Sequence, residues 1–420
     1  MDNVIAGVFS SANSNFLFSA APRAKLPERR EISAAAAPAR SSDQRPARKV
    51  TVFIGGSVGC DPYSQKTWSG ISPCLLKAIS SAGLLENAVG IQLPKLRRSY
   101  LLAKNFATNR AVWRKHFYFD PAYRSALTQA AKRIPVASPI CLQVGLLFSL
   151  PEVFPDKKCI SYNDGNLTEL LDSGFGIEGV SSKRIDQALR YEERSSQQMT
   201  AIFTFSEYLR QSFISNYRVP PERVFNVGGA INLTDFPVLN RGKEYTIPRL
   251  LFIGVEFNRK GGQQLLKAFR IVRETIPNAE LHIVGPAHAE NLPVGAFCHG
   301  RLSKADPEQK LKLESLFRDC TLFALPSLYE PFGIAPLEAM LYQIPCVVTD
   351  AWALREFVIP GFNGELVAKG SVDELATKLI QLLSSPERLA IMGRQGRDFV
   401  LSRFTWASVV GRIATVLQDL

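Results

Sequence analysis

The chain has 420 residues, a formal net charge of +12, 46% hydrophobic and 21% charged residues. That length exceeds one ordinary core and suits two domains of about 150–200 residues, in a composition typical of globular proteins. No apolar run approaches the roughly 18 residues of a membrane span. The 7 cysteines are odd in number and none forms Cys-x-x-Cys, which argues against a disulfide framework or zinc site and for a reducing cytosol. The 4 histidines lack metal-ligand spacing. The basic excess attracts phosphates, whether of nucleotides, nucleic acid or anionic lipid.

Residues 1–48 are rich in Ala, Ser, Pro and Arg and read as a disordered tail. Met1-Asp2-Asn3 opens wrongly for a signal peptide. Arg and Ser suit a transit peptide, whereas Asp2, Glu28, Glu31 and Asp43 oppose one. Order begins at KVTVFIGGSVG, a β-branched run followed by Gly55, Gly56 and Gly59. A second loop, TWSGIS with Gly70, leads into a helix carrying Leu75, Leu76, Ile79 and Leu84 at helical spacing. Further strands are predicted in AVGIQL, ASPICLQVGLL, KCISY, AIFTF and RVFNVGG. The alternation with helices predicts a doubly wound parallel sheet over residues 49–235. A linker around residues 233–248 follows, with mixed charge and two prolines.

The rhythm restarts at residue 249. A strand over residues 250–253 is followed by NRKGG and a helix with Leu265, Leu266, Phe269 and Val272 on one side. Strands follow at residues 280–284, in CTLFALPS and in IPCVVTD. A second doubly wound domain is predicted over residues 245–403, with a last helix over 404–420 packing back on the first.

In open α/β sheets ligands lie beyond the C-terminal ends of strands. SLYEPFGIAPLEAML begins at such an end. Pro336 suits the first helical position and Glu338 the first turn. Two carboxylates spaced like Glu330 and Glu338 suit two sets of vicinal hydroxyls, such as those of a ribose and a hexose joined by a diphosphate. An acid in the first turn is also favoured by the helix dipole alone. In NRKGG, Arg259 and Lys260 place cations at a helix start while Gly261 and Gly262 admit phosphate oxygens to the backbone. The same loop also reads as a solvated basic turn.

Together these stretches resemble retaining glycosyltransferase family four, of GT-B fold. The matching pieces are FIGVEFNRKGG, AELHIVG, CHGRL, LFALPSLYEPFGIAPLEAM, IPCVVTD, GFNGELV and FTWASVVGRI, in the family's order over residues 249–412. The first half matches weakly. The resemblance implies that Glu330 contacts the donor sugar, Glu338 the ribose and Lys260 the diphosphate. Phe332, Gly333 and Ile334 would offer backbone amides, with Gly254 beneath them and Arg301 framing the base. In the first domain, Gly56, Gly70 and Asn163 would line the acceptor side, and Asp164 would join Glu330, Lys260 and Arg259 as a catalytic residue.

This sequence departs from the family at three places. Val255 stands where arginine is usual, and Arg259 is expected to supply that cation. Asn163 and Asp164 replace a usual histidine. Ala351-Trp352-Ala353 replaces a glycine pair upstream of Glu356. The expected reaction is retaining transfer from a nucleoside diphosphate sugar, UDP-linked before GDP-mannose, to a saccharide or lipid-linked acceptor. No Asp-x-Asp pair supports a metal, so neither metal nor cofactor is expected. A sugar-nucleotide epimerase and a silent nucleotide-sugar binder remain as rivals.

Residues 93–133 hold ten Lys or Arg against one acid, Asp120, with aromatics interleaved. This pattern suits an anionic membrane surface. It also suits single-stranded nucleic acid, though no nucleic acid is expected, or an ordinary helical layer with aromatics inside. The expected location is cytoplasmic, with peripheral attachment at the inner membrane face.

Overall fold

A computed structural model describes residues 48–55, 61–65, 67–233, 236–239, 242–286 and 291–420. The predicted tail lies outside them except for Arg48, and so does the candidate Gly56. In the first half, β1 (Val50–Ile54), β2 (Leu85–Gly90), β3 (Ile140–Val144), β4 (Lys158–Asn163), β5 (Ala201–Thr204) and β6 (Val224–Asn226) form one sheet. The second sheet holds β7 (Arg249–Ile253), β8 (Glu280–Val284), β9 (Ala296–Cys298), β10 (Leu322–Leu325), β11 (Cys346–Thr349) and β12 (Gly364–Val367). Every strand pairing in both sheets is parallel. Strands such as Val50–Ile54 and Leu322–Leu325 are buried along their whole length because helices cover both faces, which is why they read as unbroken apolar runs.

The sheet orders are β2-β1-β3-β4-β5-β6 and β12-β11-β10-β7-β8-β9. Chain order reverses direction between β1 and β3 in the first sheet and between β7 and β10 in the second. At such switch points the loops diverge to opposite faces and open a crevice. NRKGG leaves β7 and SLYEPFGI leaves β10, so both stretches border the second crevice.

Three strands differ from their sequence expectation. β2 begins at Leu85 rather than within AVGIQL, through the polar Glu86 and Asn87. The short β9 and β12 carry no long apolar run to announce them. All three are edge strands, so tertiary pairing decides them more than burial does.

Pro386–Asp419 is the one stretch among the described residues long and apolar enough, by length and composition, to cross a membrane. It forms two helices, Pro386–Arg403 and Trp406–Asp419, the second capped by the Thr405 side chain. Their apolar residues are packed: Leu389, Met392, Val409 and Ile413 are all at most 1% exposed. Ile413 and Leu417 meet Val50, Leu142 and Phe203 of the first domain. Arg412 Nε donates to the Val227 carbonyl at 2.6 Å, and the Ile231 amide to the Phe404 carbonyl at 3.0 Å. The chain's end thus ties back to the domain in which it began.

The basic stretch divides. Phe117, Phe119 and Tyr123 are buried. The Trp113 indole donates to the Leu102 carbonyl at 2.8 Å, and buried Arg124 donates to the Leu146 carbonyl at 3.1 Å. Its C-terminal part is therefore an ordinary helical layer. The helix Lys95–Lys104 is different, because Leu101 is its single buried residue.

Candidate active site

The crevice loops of the second domain are tied together. The Leu328 amide donates to the Arg259 carbonyl at 2.8 Å. Arg259 Nη1 donates to the Tyr329 carbonyl, and its Nε to Glu256 Oε2, both at 2.7 Å. Gly261 makes this approach possible. Its φ is +76°, and a Cβ there would lie 1.9 Å from the Pro326 carbonyl oxygen. Gly254 plays a second part, since a Cβ on it would meet Lys260 Cγ at 2.9 Å. The bare backbone lets the lysine side chain fold over the end of β7.

Lys260 Nζ pairs with Glu330 Oε2, and the Ser327 hydroxyl lies 3.4 Å from the same oxygen. Burial would raise the Glu330 pKa. Lys260 and Arg259 outweigh it and hold the carboxyl below its ordinary value. For Arg259, burial opposes the charge but Glu330 and Glu256 keep it firmly protonated. Arg259 is therefore already engaged by Glu256 and a carbonyl, a brace between the loops more than a free cation.

Gly333, in a left-handed conformation, precedes the helix Ile334–Leu341. This corrects the expected helix start. Pro336 is the third helical residue and Glu338 the fifth, beyond the first turn. The helix dipole thus does not account for Glu338. That carboxylate is 5% exposed and paired with Lys304. Lys304 escaped the sequence reading, which chose Arg301 three residues earlier; Arg301 is exposed. The first amides of this helix, those of Ile334 and Ala335, have no intrahelical acceptor. The Phe332 ring lies among Phe205, Phe357 and Phe404. It packs edge-on against Phe205 of the first domain at 5.2 Å.

Asp164 follows β4 and reaches the Glu330 loop. Its neighbour Gly165 would, with a Cβ, touch Pro331 at 3.6 Å. Burial pushes the Asp164 pKa up to about 6, helped by the charge of Glu330 and opposed by hydrogen bonding from its own backbone and from Trp68. Asn163 does not share this place. Side chains alternate along a strand, and Asn163 is fully buried, donating to Ser161 Oγ at 2.9 Å. It is a sheet residue, not an acceptor-facing one. Gly70 sits at φ +85° at the start of the helix Ile71–Ser81, a position a turn requires whatever the ligand.

Two further features acquire a role only from tertiary packing. The Glu356 carboxylate accepts the amides of Glu207 at 2.8 Å and Tyr208 at 2.6 Å, at the start of the helix Glu207–Ser215 in the other domain. Just before it, Trp352 has φ +52°, in the left-handed region that favours glycine. Such a backbone costs about 1–2 kcal/mol in an L-residue. The Trp352 ring packs edge-on against Tyr329 at 5.6 Å with Lys369 Nζ 5.4 Å above it.

The second feature is Glu169. It is 3% exposed, and neither carboxyl oxygen has a hydrogen-bond partner among the described residues. Burial pushes its pKa up to about 8, with Asp164, Asp172 and Glu192 adding to the rise and the Ser212 hydroxyl opposing it. The native state therefore holds a proton that the unfolded chain releases near the ordinary carboxyl value. More protons bound in the native state means that stability falls as pH rises, up to about 8 for Glu169 and about 6 for Asp164. At about 1.4 kcal/mol per unit, the change amounts to a few kcal/mol. Glu169→Gln, neutral at every pH, is expected to flatten this decline and to be more stable than wild type in mild alkali. Urea unfolding at several pH values checks it; parallel curves for the two proteins would rule it out.

Residues 240–399 match the family described as "Glycosyl transferases group 1". The chain is 28% identical over 237 residues to the MMP alpha-(1->4)-mannosyltransferase of Mycolicibacterium hassiacum, covering 54% of this chain and 56% of that one. It is 30% identical over 173 residues to a GDP-mannose-dependent alpha-(1-6)-phosphatidylinositol monomannoside mannosyltransferase of Mycolicibacterium smegmatis, covering 38% and 45%. The chain thus spans about half the length of these curated relatives. Among solved structures, sucrose-phosphate synthase from Thermosynechococcus elongatus superposes with a TM-score of 0.64 at 17% identity, covering 89% of this chain and 99% of that one. Anabaena HepE in complex with UDP and glucose does so with 0.61 at 16%, covering 88% and 100%. With two parallel six-stranded sheets and these superpositions the chain has the GT-B fold, and its second domain matches the glycosyl transferases group 1 model.

Proposed function

We propose that this protein transfers a hexosyl group, with retention, from a nucleoside diphosphate sugar to a saccharide or lipid-linked acceptor in glycolipid or polysaccharide synthesis. The observation that carries this is the Lys260–Glu330 pair at the β7/β10 switch point, with a second pair, Lys304–Glu338, eight residues on. Each pair offers one cation to phosphate and one carboxylate to sugar hydroxyls. Donor binding exchanges partners: the diphosphate takes the ammonium of Lys260, and Glu330 and Glu338 accept hydroxyl protons from hexose and ribose. The amides of Gly333 and Ile334 face the same anion.

In the reaction the bond from the anomeric carbon to the diphosphate oxygen breaks. The acceptor oxygen bonds that carbon on the same face, and its proton passes to the departing diphosphate. The groups needed are positive charge on the leaving group and a fixed sugar, which Lys260, the helix amides and Glu330 provide. In this reading Asp164, its pKa raised by burial to about 6, faces the acceptor hydroxyl from the first domain. Among the described residues no three carboxylate, imidazole or thiol groups gather to hold a metal ion, and lysine charge fills that role in this reading.

The relatives named above include a GDP-mannose-dependent enzyme, and HepE was solved with UDP and glucose. The donor is accordingly sought among UDP- and GDP-hexoses. Calorimetry with UDP, GDP and their hexose conjugates in excess chelator is expected to find one conjugate that binds better than its bare nucleotide. Turnover in the same chelator is expected to be undiminished. Absence of binding by any nucleotide would end the donor reading, and activity lost to chelator would end metal independence.

A further inference from the structure

The helix Lys95–Lys104 begins four residues after Ile91, whose amide bonds the Ile54 carbonyl at the end of β1. In a parallel sheet all C-terminal strand ends share one edge, and here that edge faces the cleft. Four residues span at most about 13–14 Å, so the helix starts on the cleft side of the first domain. Leu96 is 87% exposed, Tyr100 61% and Phe106, just past the helix, 67%. Single exposed hydrophobes are ordinary, and Phe106 rests edge-on against Trp113 at 5.8 Å. Three such side chains between residues 96 and 106, beside cations, nevertheless form a cluster of the kind that marks an interaction site. Around them stand Lys95, Arg97, Arg98 and Arg110, none of which joins an ion pair among the described residues. Lys104 is bound to Asp120 at 3.4 Å and is not counted. No acid occurs in residues 93–119.

We propose that this helix and Phe106 dock on an anionic lipid bilayer, with Leu96, Tyr100 and Phe106 entering the headgroup boundary and Lys95, Arg97, Arg98 and Arg110 meeting lipid phosphates. Charge complementarity selects an anionic partner. The aliphatic Leu96, the most exposed of the three hydrophobes, selects lipid over nucleic acid, since a phosphate backbone has nowhere to bury it. The convex helix also offers no groove to a strand. Docking here sets the mouth of the cleft toward the bilayer, so the acceptor taken there is a membrane-borne saccharide. That last step rests on the proposed transfer reaction; the docking itself does not.

The test is flotation of the full chain with phosphatidylcholine vesicles, with and without phosphatidylglycerol, at low and high salt. Binding is expected only to the anionic vesicles and is expected to weaken with salt. Arg97→Ala with Arg98→Ala is expected to weaken it about 25-fold, at about five-fold for each cation near the surface. Leu96→Ser with Phe106→Ser is expected to weaken it at every salt concentration. Melting curves of both double variants are expected to match wild type and so show that they fold. No binding to anionic vesicles at low salt overturns the proposal. So does binding that both variants retain in full, which places the contact elsewhere, for instance in the basic tail. Single-stranded RNA that binds as tightly and displaces the vesicles also overturns it. Nucleotide calorimetry on the same variants keeps the two readings apart, because the helix lies outside the donor site and donor affinity stays at the wild-type value.

Discussion

Glu330→Gln is expected to bind a bare nucleoside diphosphate at least as tightly as wild type, while losing about 10- to 100-fold of its affinity for the sugar conjugate. A hydrogen bond to a charged carboxylate contributes about 1.5–3 kcal/mol. The bare nucleotide loses nothing because Lys260, no longer held by a carboxylate, is free for phosphate. Lys260→Ala is the converse. It removes charge from the leaving group, and kcat is expected to fall about 100- to 1000-fold, the effect of deleting one preorganised donor at a developing anion. It also strands a carboxylate that is 5% exposed, at a cost of up to about 3–5 kcal/mol. Combining Lys260→Ala with Glu330→Gln is therefore expected to recover stability but not turnover. That split distinguishes a catalytic pair from a structural one. Arg259→Ala is expected to weaken donor binding as well. Unchanged affinity there, beside a Lys260→Ala protein that binds nothing, would leave Arg259 as a brace alone. A Glu330→Gln protein that loses nucleotide and conjugate equally would show that the carboxylate does not touch the sugar.

The second large effect is expected at the domain junction. Glu356→Ala removes the acceptor of two amide bonds between the domains. Each is charge-assisted and worth about 1.5–3 kcal/mol if buried. Glu356 is exposed, so about half of that is expected from each bond and about 1.5–3 kcal/mol from the two together. A loss of about 1.4–3 kcal/mol shifts an open–closed balance about 10- to 150-fold. Small-angle scattering of the unliganded variant is expected to give a larger radius of gyration, and the donor KM is expected to rise by about 10-fold or more as closure is lost. Glu356→Asp, shorter but still charged, is expected to restore part of both. Identical scattering and KM for wild type and Glu356→Ala would show that the Phe205–Phe332 contact and the returning C-terminal helix hold the domains without it.

Much of this protein was legible in its sequence because the signals are local. Apolar runs five residues long, glycines at turns and helical spacing of leucines define the central strands and their helices. The loops NRKGG and SLYEPFGI announce themselves because glycine, proline and charge sit where a strand must end. Sequence could also order them, since chain order in a doubly wound sheet places both at one crevice.

The tertiary structure decided the rest, for reasons of distance and burial. Lys260 and Glu330 stand 70 residues apart, Glu207 and Glu356 149 apart; no local pattern records such a meeting. Asn163 and Asp164 are adjacent and look alike in sequence, yet strand alternation buries the first in the sheet and leaves the second at the cleft. Glu338 reads as a first-turn acid until Gly333 sets the helix start at Ile334, two residues earlier than Pro336 suggests. Glu169 is one glutamate among many until packing removes its water and raises its pKa. The basic stretch shows the same limit most plainly. Its residue types are alike throughout, but only the fold decides that Phe117 and Tyr123 enter the core while Leu96 and Tyr100 stay in solvent, because exposure is settled by which helical face a neighbour covers.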